Sequence, residues 1–186
     1  MRRTPWQSFP LCVAAASALA LTALSTAAPP IILSEFLASN QNGIRDEDGD
    51  RSDWIELHHS GSETISLAGL SLSDNPADPQ RWLLPPVDME PGTYRVIFAS
   101  GKDRRPPGGP WHTSFRLDAA GEFLALYYQG SPLTVFAPAF PAQSPDISFG
   151  PLPSLSSPQF MTQPSPGAPN IPSPPVAPVS INPPSA

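Results

Sequence analysis

The densest concentration of charged groups in the chain is the run Asp46-Glu47-Asp48-Gly49-Asp50-Arg51-Ser52-Asp53. Carboxylates at alternate positions of a tight loop can converge on one hard cation, and Ca²⁺ takes about six to eight oxygens. Asp46, Asp48, Asp50 and Asp53 are the candidate ligands, and Ca²⁺ is the one cofactor the sequence admits. The EF-hand template does not fit, because counting from Asp46 the sixth residue is Arg51 instead of Gly and the twelfth is Leu57 instead of Glu. The favoured reading is a solvated turn whose Asp side chains bond their own backbone, with Arg51 as a local counter-charge.

Other reactive side chains are scattered. His58 and His59 are neighbours on an expected strand, so they point to opposite faces and do not chelate one metal, and His112 lies far away in sequence. A hydrolase needs a nucleophile, a base and an orienting acid. Serines are plentiful, but no Gly-x-Ser-x-Gly elbow, His-Glu-x-x-His or Walker loop is present, and no catalytic residue or enzymatic activity is expected. Lys102-Asp103-Arg104-Arg105 near Trp111 could clamp a sugar or a nucleic acid by stacking and charge. The acidic balance of the chain makes a solvated loop the better reading. Glu56 is expected either exposed or paired with Arg81 or Arg95.

The elements that must position these groups read as short strands. Residues 31–37 open the series, and Trp54-Ile55-Glu56-Leu57-His58 alternates apolar and polar groups as a half-buried strand does. Trp54, Ile55 and Leu57 are expected in the core. Residues 64–67 and 70–72 follow, with Ala68-Gly69 between them expected as a β-bulge. Further strands are expected at 81–84, 94–98, 114–117 and 122–128, separated by turn signals such as Asp74-Asn75-Pro76, Pro85-Pro86 and Glu90-Pro91-Gly92. No apolar spacing of helical period runs long enough for a helix. The pattern is that of an all-β, two-sheet sandwich over 31–150.

Composition sets the frame. Of 186 residues 28 are Pro, which excludes a mainly helical chain, and the length allows one domain plus tails. A formal charge of −6 argues against nucleic acid as a partner, since such binding needs a basic surface. Cys12 stands alone and cannot form an internal disulfide. Arg2 and Arg3, an uncharged apolar run at 11–24 and the small residues Ser25-Thr26-Ala27 make residues 1–27 a secretory signal peptide, cleaved after Ala27 or Ala28. The exported chain would be secreted, periplasmic or on the cell surface, with no membrane insertion after cleavage. Residues 151–186 hold 12 prolines and no Asp, Glu, Lys or Arg, and read as a proline-rich, extended and disordered linker or tail.

One set of landmarks is more specific. Ser34-Glu35-Phe36-Leu37-Ala38-Ser39-Asn40, Asp48-Gly49-Asp50 and Asp53-Trp54-Ile55-Glu56-Leu57 resemble the opening of the lamin-tail domain family in its exported bacterial form. Leu67-Ala68-Gly69-Leu70, Arg81-Trp82, Pro91-Gly92-Thr93-Tyr94, Phe115-Arg116-Leu117-Asp118, residues 143–150 and Pro166-Gly167-Ala168-Pro169-Asn170 are similar to its later landmarks, in order. His58-His59 and the prolines between Lys102 and Trp111 depart from it. The resemblance implies an immunoglobulin-like β-sandwich and a non-catalytic module that binds a protein or a cell-surface polymer or scaffolds an assembly. It also admits a second reading, an N-terminal accessory module of a larger surface enzyme of nuclease-like, phosphatase-like or spore-coat kinase-like type, which the charge-free spacer supports.

Overall fold

The computed structural model describes residues 27–152, 155 and 157–174; residues 1–26 of the expected signal peptide (1–27) and residues 153, 154, 156 and 175–186 of the expected tail lie outside them. The described chain is all-β. Its strands are β1 (Ile31–Leu37), β2 (Asp53–His59), β3 (Ile65–Ser66), β4 (Leu70–Ser73), β5 (Trp82–Leu83), β6 (Asp88–Met89), β7 (Tyr94–Ala99), β8 (Trp111–His112), β9 (Leu124–Tyr128), β10 (Ser131–Phe136), β11 (Ser148–Gly150) and β12 (Gln159–Met161). A six-stranded sheet runs β12-β11-β1-β2-β7-β8, a four-stranded sheet runs β10-β9-β4-β5, and β3 pairs with β6 apart from both. All pairings are antiparallel except β7 with β8.

Leu33, Ile55, Leu57 and Ile97 of the larger sheet share one buried cluster with Leu70, Leu72, Trp82, Leu124 and Leu126 of the smaller. Packing of two apolar sheet faces is what the alternation along each strand demands. At one end Phe36 gathers Phe136, Phe140 and Phe149 around it, with ring centroids 5.1, 4.8 and 5.8 Å away. A smaller cluster of Leu37, Trp54 and Phe98, joined by Ile44 and Val96, is separate from that core. Ile55 and Leu57 therefore sit in the main core, while Trp54, on the alternate face of the same strand, is buried in the satellite.

Three local expectations change. The bulge lies in β1, where the register with β2 jumps between Leu33 and Glu35, and not at Ala68-Gly69. The extra residue, Ser34, lets Leu33 and Phe36 both enter the core and turns Glu35 to the other face, opposite Glu56. Residues 67–70 form a turn closed by the Leu70 N–H to the Leu67 carbonyl, with Gly69 at a φ of 83°, and it passes the chain from the two-stranded to the four-stranded sheet. Residues 114–117 are not a strand: Phe115 and Leu117 are buried, but only Arg116 makes an isolated bridge, to Ser100, and the pairing with β7 belongs to Trp111–His112. Beyond Gly150, the start of the expected linker is part of the fold. β12 pairs with β11, and Asn170 Nδ2 donates to the carbonyls of Ser34 and Pro151 at 2.7 and 2.9 Å. The reason is local, since residues 159–163 form a proline-free window that can supply the N–H groups a ladder needs.

Candidate functional site

The β1–β2 loop and the loop after β7 meet in a network of opposite charges. Asp46 organises its own turn as the sequence led one to expect: Oδ1 accepts from the N–H groups of Asp48 and Asp50 at 3.1 and 2.9 Å, and Oδ2 from the Ser52 hydroxyl at 2.9 Å. Gly49, at a φ of 84° with open space around it, makes the sharp step. The cation is not Arg51, which donates to the Gly43 carbonyl at 3.3 Å. It is Lys102, whose Nζ lies 2.6, 2.7 and 2.9 Å from Asp46 Oδ2, Asp48 Oδ2 and Asp50 Oδ2. Arg104 Nη1 adds contacts of 2.7 Å to Asp48 and 3.1 Å to Glu47.

Of the four candidate calcium ligands, Asp46, Asp48 and Asp50 converge and Asp53 does not. Asp53 caps the loop instead, accepting from the Asn40 N–H at 3.0 Å, and burial pushes its carboxyl above the usual range. The point on which the other three close holds the Lys102 ammonium, so a calcium ion there would have to displace it. Burial raises the Asp46 pKa, but Lys102, Ser52 and the Asp50 amide outweigh burial and bring it to about 2. Lys102 responds in kind: burial lowers its pKa, and the three carboxylates raise it further, above the ordinary lysine value.

The folded-state pKa of Asp46 lies below its unfolded value of 3.8. Its contribution to stability is present above that pH and is lost as pH falls toward 2, by about 2 kcal/mol for a shift of this size. Acid titration of stability between pH 4 and pH 2 should show a steeper loss for the native protein than for Asp46→Asn, and equal slopes would refute this assignment.

His112 joins the same network from below. It is fully buried, with Nε2 2.8 Å from Glu47 Oε2 and Nδ1 2.8 Å from Ser100 Oγ. An ionised carboxylate only accepts, so Nε2 donates to Glu47, and Nδ1 is paired with the Ser100 hydroxyl. A serine, a histidine and a carboxylate in contact have the order of a nucleophile, base and orienting acid. The surroundings do not complete it. Ser100 is 4% exposed, the Gly101 N–H donates to the Phe115 carbonyl, and the Lys102 N–H donates to Ser100 Oγ itself, so these neighbouring amides do not face a developing oxyanion.

The remaining sequence candidates separate. His58 stacks on Tyr94 at 4.3 Å, while His59 is buried on the other face, its Nδ1 accepting from Gly61 and its Nε2 donating to the Glu63 carbonyl. Trp111 is buried under Arg95, whose guanidinium stands 4.6 Å from the ring, so it is not free to stack on a ligand. Arg105 covers Trp82 at 4.8 Å. Glu56 pairs with neither Arg81, which holds Asp74 at 2.8 Å, nor Arg95. It is fully buried beside Glu35, and that pair had no signal in the sequence beyond two acids within strand-like runs. An apolar groove of about 460 Å³ runs beside them, with Leu37, Ile44 and Trp54 on one side and Pro164 and Pro166 on the other.

The chain matches no known family model, no curated protein and no solved structure. Among the described residues no helix is long and apolar enough to cross a membrane.

Proposed function

We propose that the chain is a non-catalytic, exported β-sandwich module of immunoglobulin-like, lamin-tail type that binds a protein or a cell-surface polymer, or holds a larger envelope assembly together. The observation that carries this reading is that the reactive groups satisfy one another. Lys102 and Arg104 neutralise the acidic turn, and Ser100 and His112 are buried within the same network. Such a network cross-links two loops and rigidifies that end of the sandwich. What the surface offers instead is the groove beside Trp54, apolar along its walls with Asn42 and Asp146 at its rim, a composition suited to recognition.

The test is co-sedimentation of the purified protein with isolated peptidoglycan sacculi and with solubilised envelope proteins, alongside a phosphodiester and glycoside hydrolysis panel. Retention that falls on Ile44→Glu, with no turnover, is the expected result. Hydrolysis lost on Ser100→Ala or His112→Ala would replace the binding reading with an enzymatic one.

A further inference from the structure

Glu35 and Glu56 are register partners on β1 and β2, and both are completely buried. Across an antiparallel pair, directly opposed side chains have Cβ atoms about 5 Å apart. What covers them is the segment 162–170, which runs from β12 over this face outside any strand. Glu35 accepts from the Ser165 N–H at 3.1 and 3.2 Å, from the Ser165 hydroxyl at 2.9 Å, and from the Ser148 hydroxyl. Glu56 accepts from the Gly167 N–H and, at 2.8 Å, from the Ser34 hydroxyl.

Among the described residues no cation answers this pair. The covering segment, residues 162–170, and the residues flanking it from 157 to 174 contain no Lys, Arg or His and no acid. From β2 and β7 the titratable neighbours are His58 and Tyr94, stacked on each other; burial lowers the histidine pKa, and burial with the Glu56 charge raises that of the tyrosine, so both are neutral near pH 7. From β11 only the Ser148 hydroxyl arrives. Two carboxylates in one water-poor site, with donors but no counter-charge, are neutralised only by protons.

We propose that residues 164–170 form a proton-gated strap, held on the outer face of the six-stranded sheet while the Glu35–Glu56 pair retains a proton and released as the pair loses it. Burial raises the pKa of both groups, that of Glu56 to about 7 with the Glu35 charge adding to the effect. With folded-state values above the ordinary carboxylate range, this hold is complete below about pH 4.5 and is lost as pH rises through about 7. The strap opens rather than the sandwich because it makes no ladder, and Pro164, Pro166 and Pro169 have no N–H to give. Opening it admits water to both carboxylates and removes the Pro164 and Pro166 wall from the groove over Trp54. The strap thus couples pH to access at that groove, a property separate from whether the groove binds a polymer.

Amide hydrogen exchange on the whole chain tests the strap directly. Protection of the Ser165 and Gly167 amides should fall at least tenfold between pH 5.5 and pH 9 after correction for intrinsic exchange, while Ile55 and Ile97 amides keep theirs. In Glu35→Gln/Glu56→Gln, which keeps one acceptor oxygen on each side chain and cannot ionise, the strap's protection should be independent of pH. Carboxyl ¹³C titration of the native protein supplies a readout that needs no variant, with a Glu56 midpoint near 7 tracking loss of strap protection. Flat protection of the native strap, equal loss at the core amides, or a Glu56 midpoint in the ordinary range of about 4 to 5 would overturn the proposal.

Discussion

Phe36→Ala should lower the unfolding free energy by about 4 kcal/mol, the middle of the range for a buried aromatic truncated to Ala. Phe36 is fully buried and touches the rings of Phe136 from β10, Phe140 from the following segment and Phe149 from β11. One ring therefore joins the two sheets and the closing segment at the same point, and its removal leaves a cavity lined by three rigid rings that cannot collapse into it. Edge-to-face pairs of this kind add about 0.5–1.5 kcal/mol beyond the area they bury. For a domain whose total stability is about 5–15 kcal/mol, the loss takes away a large share of it. Urea unfolding should show a lower midpoint at an unchanged slope. Phe160→Ala is the internal control: that ring is 42% exposed on edge strand β12 and packs on Phe149 from one side only, so its loss should cost about 1 kcal/mol. Equal costs for the two variants would mean that the aromatic cluster is not the joint between the sheets.

The residues that make this cluster show where sequence reading succeeds and stops. β2, β7 and β9 are legible as strands because each is a short run of large apolar and aromatic residues bounded by turn residues, although β2 is buried on both faces. β1 was legible as a strand, but its faces were not: read without a break, Leu33, Glu35 and Leu37 share a side, and only the bulge at Ser34 sends Phe36 inward and Glu35 outward. β10 escaped notice because Pro132 argues against a central strand, and the structure places β10 at the edge of its sheet, where a missing N–H costs nothing. β12 is masked by the proline content of residues 151–186, within which Gln159–Met161 lies in a short proline-free window. In the charged loop the turn chemistry of Asp46 was readable, since it is local. The identity of the counter-charge was not, because Lys102 lies 56 residues away and arrives only through the geometry of the β2–β7 pairing. The same limit hid Glu47 and Ser100, which meet at His112 across loops that the sequence gives no reason to pair.

Lys102→Met should cost about 2–4 kcal/mol, the second of the two largest effects expected here. The substitution keeps the apolar stem and removes the ammonium, which leaves Asp46, Asp48 and Asp50 facing one another. The Asp46 side chain is wholly buried while that of Asp50 is 65% exposed, so most of the penalty falls on Asp46 and solvent screens the rest. Losing its partner, Asp46 should titrate closer to the usual carboxylate range, and the steep loss of stability below pH 4 should flatten with it. The variant also turns a closed network into a site with converging oxygens and no cation. Millimolar Ca²⁺ should then raise its melting temperature by mass action and leave the native protein unmoved, because in the native protein the ion must first expel a tethered ammonium. Lys102→Arg should recover only part of the stability, since a planar guanidinium cannot place one charge at the meeting point of three carboxylates as an ammonium does. A Met variant as stable as the native chain would show that the acidic turn needs no cation. Calcium stabilising the native protein by the same margin would show instead that Lys102 yields its place to the ion.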